Sequence, residues 1–227
     1  MAITPNSIWA IMIPNLASFC LIAPAVITLS ATAPGIAITA QPPNQTDDLV
    51  VPGTRLGPVT ANTSRQQLAQ LYGEANLKDG QIPVGEGFTE LGTIVAQGTD
   101  HQFTLLWLNQ QRTKPLLAQD LGPAWKTPEG VGVDLPYTDL QAILGKFEVY
   151  GFEWDYGGTV SLQGSHLEKY ARQLFLRLVA DPAAIVSQPQ AYRAVMGDRL
   201  FASTDPNLAR LNLKVKTMIV YLNSPPQ

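Results

Sequence analysis

"GTIVAQGT", residues 92–99, comes back further along the chain as "GTVSLQGS", residues 158–165. Each phrase runs β-prone residues into a glycine-bearing turn. An eight-residue match with four identities carries little alone, so the fold is decided by what surrounds the two copies. Upstream of the first lies "VTANTSRQQLAQLYG", residues 59–73, and upstream of the second "VGVDLPYTDLQAILG", residues 131–145. Set 72 positions apart, Val131 falls on Val59, Asp134 on Asn62, Leu140 on Leu68, Ile143 on Leu71, Leu144 on Tyr72 and Gly145 on Gly73. Both stretches predict a helix with a capping residue (Asn62 or Thr63 in the first, Asp134 in the second), one apolar face and a glycine stop. Pro136 sits early in the second helix, where a missing N–H is tolerated.

Downstream, "HQFTLLWLN" alternates Phe103, Leu105 and Trp107, and "RQLFLRLV" alternates Leu174, Leu176 and Leu178. Period-2 apolar patterning predicts half-buried strands, so each phrase opens an antiparallel hairpin. Gly98 and Gly164 recur because the chain reverses beside them and a turn needs positive φ there. The phrases lie 66 positions apart while the helices lie 72 apart, so the second copy has the shorter helix-to-strand connection. The expected fold is α+β: two related helix-plus-antiparallel-hairpin repeats, residues 55–122 and 123–181, forming one continuous sheet with helices on one face. A C-terminal helix near Gln190–Met196, a capped turn at "STDPN" and a strand "LKVKTMIVYL" complete the domain over residues 182–223.

The 227 residues are 45% hydrophobic and 15% charged, a composition of globular chains. A formal charge of -3 with no basic stripe argues against nucleic acid as a partner. Charge is absent from side chains until Asp47 and Asp48. The apolar run ending in Gly35-Ile36-Ala37 and Ile38-Thr39-Ala40 reads as a signal peptide over residues 1–40. The rival reading is a membrane anchor retained through residues 8–40, since the run exceeds the ~20 residues needed to span. Pro14, Pro24 and Pro34 interrupt it, and no Lys or Arg cluster sets an orientation. Cys20, the one cysteine, falls inside this segment, so the mature chain has no disulfide. "QPPNQTDDLVVPG" and its neighbour Thr54 then read as a flexible linker over residues 41–54.

"EVYGFEWDYGGT", residues 148–159, is the densest polar and aromatic stretch. Read as a strand, it points Tyr150, Phe152, Trp154 and Tyr156 one way and Glu153 and Asp155 the other. Trp125, Trp154 and Tyr156 are the candidate contact residues, because aromatics are favoured at interface centres. "PVGEGFTELGT" places Glu86 and Glu90 in a glycine-punctuated loop. Glu86, Glu90, Glu153 and Asp155 form the alternative, a carboxylate pair serving an envelope hydrolase. His101 and His166 follow the two hairpin turns and are expected as surface imidazoles. No phosphate loop or nucleophile elbow is present, and no cofactor, metal site or catalytic residue is expected.

At "AWKTPEGVGVDLPYTDLQAILGKFEVYGFEWDYGGTV", "RQQLAQLYGEANL", "GEGFTELGTIV" and "GDRLFASTDPN" the chain resembles a family of uncharacterised exported bacterial proteins. The resemblance implies a secreted or periplasmic product and transfers no catalytic residue. The tandem arrangement is also similar to the β-lactamase-inhibitor-protein type of fold, whose members bind other proteins. Together these imply a non-catalytic binding or envelope-maintenance module with another envelope protein as partner, touching a membrane only through an uncleaved N-terminus.

Overall fold

The computed structural model describes residues 47–223. Residues 1–40, expected as a signal peptide, and residues 41–46 of the expected linker lie outside the described residues. Residues 47–54, expected as flexible linker, belong instead to the folded body. Val50 is fully buried and its N–H donates to the Lys126 carbonyl at 2.8 Å, while β1 (Val50–Val51) pairs with β2 (Arg55–Leu56). Prolines and polar residues made the stretch look solvated, but one buried valine with a paired backbone suffices to dock it. β3 (Val59–Thr60) completes this small sheet.

α1 (Arg65–Tyr72) starts one or two residues later than expected. Ser64, not Asn62 or Thr63, is the cap: its hydroxyl accepts from Gln67 N–H, and the Gln67 side chain accepts from Ser64 N–H at 2.8 Å. Thr63 has Gln66 at the same three-residue spacing, but its hydroxyl is taken by the preceding turn, where it accepts from Thr60 N–H at 2.9 Å, and the box forms at Ser64. Leu68 and Tyr72 are buried, and Gly73 ends the helix at φ 80°. α2 (Tyr137–Leu144) buries Leu140 and Leu144 and stops at Gly145, φ 70°, but Pro136 precedes it with no side-chain cap. Asp134, expected to cap, turns outward at φ 65° and pairs with Lys214 at 2.6 Å. The two helices therefore share an apolar face and a glycine stop but not their caps.

After α1 come β4 (Leu77–Gly85), β5 (Phe88–Val95), β6 (Phe103–Trp107) and β7 (Pro115–Gln119), each antiparallel to the next. After α2 come β8 (Glu148–Tyr150), β9 (Val160–Ser161) and β10 (Leu174–Val179). Short helices α3 (Pro182–Ser187) and α4 (Pro189–Ala194), strand β11 (Leu200–Ala202), α5 (Pro206–Ala209) and β12 (Lys214–Tyr221) follow. The fold is α+β, with antiparallel sheets and few helices. In place of one continuous sheet, the described residues form a six-stranded sheet β10-β12-β7-β6-β5-β4 and two three-stranded ones, β1-β2-β3 and β11-β8-β9. β9 is too short to zip along β10. A single bridge, Thr159 to Arg177, and the bond from Leu178 N–H to Gly158 O at 2.8 Å join them.

Alternation along the strands separates two cores. Phe103, Leu105, Leu176 and Met218 face the cluster that also takes Leu68 of α1 and Leu140 of α2. On the opposite face Leu106 and Leu117 are covered by Ile82 of β4. Ile82 reaches them because the β4–β5 hairpin bends where Gly80 stands opposite Gly92. A Cβ on Gly92 would lie 2.4 Å from Ile82 Cγ1 and 3.1 Å from Leu106 Cδ2, so only glycine lets the hairpin fold over the sheet.

A polar chain ties α1 to this sheet. Trp107 Nε1 donates to the Thr93 hydroxyl at 2.9 Å, Thr93 donates to Asp79 at 2.5 Å, and Asp79 accepts from Arg65 at 3.0 Å and pairs with Arg112 at 2.9 Å. Arg65 also bonds Glu74 at 2.6 Å. Burial alone would raise the Asp79 carboxyl, but hydrogen bonds from Arg65 and Thr93 and the nearby guanidinium charges outweigh it and lower it. A carboxylate lowered in the folded state stabilises it above the unfolded value and loses that contribution as pH falls through the folded value. Glu74, held down by Arg65, and Asp134, held down by Lys214, act in the same direction. The thermal midpoint is therefore expected to fall as pH drops below about 4. Asp79→Asn should lower the midpoint near neutrality and flatten this decline; an unchanged profile would exclude the network from acid stability.

Candidate functional site

β8 delivers the chain into the loop of residues 151–159, which is not the strand that its alternating aromatics suggest. Gly151 packs where a Cβ would meet the Gly197 carbonyl at 2.3 Å, so the backbone enters the loop pressed against the α4–β11 connection. Phe152 then anchors it. Its ring is buried and stacks on Tyr192 at 5.6 Å, its N–H donates to Val195 O at 2.9 Å, and its carbonyl accepts from Gly197 N–H at 3.0 Å. Glu153 takes φ 66°, which breaks the strand period and turns the next residues outward.

The tip is held by its own backbone: Gly157 N–H donates to Trp154 O at 2.7 Å, Thr159 N–H to Tyr156 O and Gly158 N–H to Tyr150 O, both at 2.9 Å. The Arg177 guanidinium donates to Asp155 O at 2.9 Å. Tyr192 donates to Glu153 Oε1. Burial first, then this carboxylate, pushes the Tyr192 phenol up to about 12, so it stays a donor across the physiological range.

On this frame Trp154 is 61% and Tyr156 62% exposed. Tyr156 leans on Tyr150 with centroids 5.8 Å apart, and Leu200 stands opposite Tyr150 on the neighbouring strand. The Trp154 indole nitrogen lies 3.8 Å from the point a Gly197 Cβ would occupy, beside the partly exposed Met196. Trp154 and Tyr156 thus stand exposed on a braced loop, with Met196 and Leu200 partly exposed on the adjoining α4–β11 segment.

Trp125 does not belong with them. It is 2% exposed, its indole N–H donates to Gln102 O at 3.1 Å, and its ring meets Phe103 edge-on at 5.6 Å. The four carboxylates fare no better as a catalytic pair. Glu86 occupies the β4–β5 turn at φ 49°, Glu90 lies on β5, and Glu153 and Asp155 lie on the aromatic loop, all exposed to solvent. An acid–base pair needs a shared site shielded from water, and the exposure of all four argues against such a site. Among the described residues no group of three or more His, Cys, Asp or Glu is placed to hold a metal ion. No described helix is long and apolar enough to cross a membrane. Of the two histidines, His166 is exposed, while His101 is half-buried between Asp48, 2.9 Å away, and the Trp125 edge.

No family model matches the chain. No curated protein matches it either. Among solved structures it is similar to the uncharacterized protein yfeY from Escherichia coli, with 15% identity, a TM-score of 0.43, and coverage of 75% of this chain and 98% of that one.

Proposed function

We propose that the chain is an exported, non-catalytic binding or envelope-maintenance module that meets a partner envelope protein through the loop of residues 151–159. One observation carries the reading: two large aromatics, Trp154 and Tyr156, stand in water on a loop held at both ends, by the anchor Phe152 and by the N–H bonds of Gly157, Gly158 and Thr159. Holding such rings exposed and ordered before contact lowers the entropy lost on binding, and aromatics are the side chains that dominate interface energetics. Export follows from the uncharged N-terminal segment, with cleavage after Ala37 or Ala40 as the proposed maturation step.

The scaffold is proposed to be a duplicated unit. After α1 the strands run β4, β5, β6, β7, and after α2 they run β8, β9, β10, β12, with α3–β11–α5 inserted before the last. β7 and β12, the final strand of each series, pair with each other at Val220–Ala118 and Tyr221–Leu117. Both matched glycines adopt the same conformation, φ 82° at Gly98 and 74° at Gly164. This order supports the tandem arrangement, and with it the likeness to the β-lactamase-inhibitor-protein type of fold.

The double variant Trp154→Ala/Tyr156→Ala tests the surface. Because both rings are exposed, the unfolding free energy should change by no more than about 0.5 kcal/mol per site. Capture of a stoichiometric partner from an envelope fraction should be lost. Retained capture by a folded double variant would move the contact surface elsewhere.

A further inference from the structure

The bent β4–β5 hairpin leaves a cleft between its outer half and the sheet's second face. The cleft has a volume of about 270 Å³ and is lined by Val84 of the hairpin, Phe175 and Arg177 of β10, Thr217 and Ile219 of β12, and Thr159. Its floor is apolar: Phe175 stands directly opposite Ile219, and the Phe175 ring lies 5.7 Å from Tyr221. Its roof is Val84. Both Val84 and Phe175 remain 43% exposed, so the hairpin overhangs the floor without closing on it.

One cation faces this apolar space. Arg177 stands opposite Thr217 and gives one N–H to the Asp155 carbonyl, a neutral acceptor. Among the described residues no carboxylate lies within ion-pair distance of it. A guanidinium beside a greasy floor is complementary to a carboxylate carrying a short hydrocarbon chain, because the planar fork takes the oxygens while the chain displaces water from Phe175 and Ile219. Size selects within that class: at about 270 Å³ the cleft is at the small end for ligand sites, which favours a short chain.

We infer that the cleft under the β4–β5 hairpin binds a small amphipathic monocarboxylate, its charge on Arg177 and its chain between Val84, Phe175 and Ile219. The inference is independent of the partner surface. Asp155 O shares the guanidinium, so ligand and aromatic loop are held by the same side chain.

Amide chemical shifts of the full chain titrated with octanoate, octanol and octylammonium provide the test. Octanoate should produce saturable shifts at Val84, Phe175, Arg177 and Thr217 and bind more tightly than the other two. Arg177→Gln should weaken octanoate about tenfold or more and leave octanol unchanged. Val84→Glu, at an exposed position that the fold does not depend on, should also weaken octanoate relative to octanol by like-charge repulsion. This covers the case in which Arg177→Gln loosens the Asp155 contact and unfolds. Equal binding of all three probes with no effect of either variant would mean detergent-like adsorption and overturn the assignment. Absence of saturable shifts at these residues up to roughly millimolar octanoate would overturn it equally.

Discussion

Trp125→Ala is expected to destabilise the protein by about 3–5 kcal/mol. The ring is fully enclosed and meets Phe103 edge-on, and Phe103 in turn meets Tyr72 of α1 at 5.4 Å. Truncation opens a cavity at the point where the docked N-terminal segment, β6 and α1 converge. It also removes the indole N–H bond to the Gln102 carbonyl, which keeps its bond from Gly122 N–H at 2.9 Å. Gly57 would feel the loss, since its Cα packs close enough that a Cβ there would lie 3.1 Å from the ring. Urea unfolding measures the effect. A change under about 1 kcal/mol would mean that Trp125 is not a core residue and would return it to the candidate contact set.

Gly158→Ala is expected to cost on the order of 2–5 kcal/mol, from a left-handed residue gaining a side chain and from overpacking. Its φ is 76°, and a Cβ would lie 2.3 Å from the Leu178 carbonyl oxygen, a backbone atom that cannot rotate away. The same residue's carbonyl accepts from Leu178 N–H, so the substitution strikes the junction between the β11-β8-β9 sheet and β10. Gly164→Ala is the internal control. It shares the positive φ, 74°, but a Cβ there meets nothing within 4 Å. Only backbone strain of about 1–2 kcal/mol applies. Unfolding midpoints measured together should place Gly158→Ala well below Gly164→Ala; equal midpoints would show that the junction adds nothing to stability.

The elements legible in the sequence are those whose signal is local. Alternation located β6, β10 and β12, and the glycine stops located the ends of α1 and α2. What was not legible depends on distant register. Nothing local marks Gly80 and Gly92 as opposite one another, so the overhanging hairpin and its cleft stay hidden, and "PVGEGFTELGT" reads as a loop although β5 begins at Phe88. The aromatic loop shows the converse error. Its alternation satisfies a strand template, yet Glu153 at positive φ and the Gly157-Gly158 pair turn it, burying Phe152 and exposing Trp154 and Tyr156. The preference of aromatics for interface centres does not distinguish Trp125 from Trp154, because its burial is supplied by Gly57 and Phe103, distant in sequence.

Whether Tyr156 is where a partner touches the molecule can be measured by placing a photo-crosslinking side chain there in the full chain and irradiating intact envelopes. Gln70, exposed on α1, serves as the reference position. One discrete adduct from position 156 and none from position 70 is the predicted outcome. No adduct at 156, or the same adducts from both positions, would contradict the assignment of the aromatic loop as the contact surface.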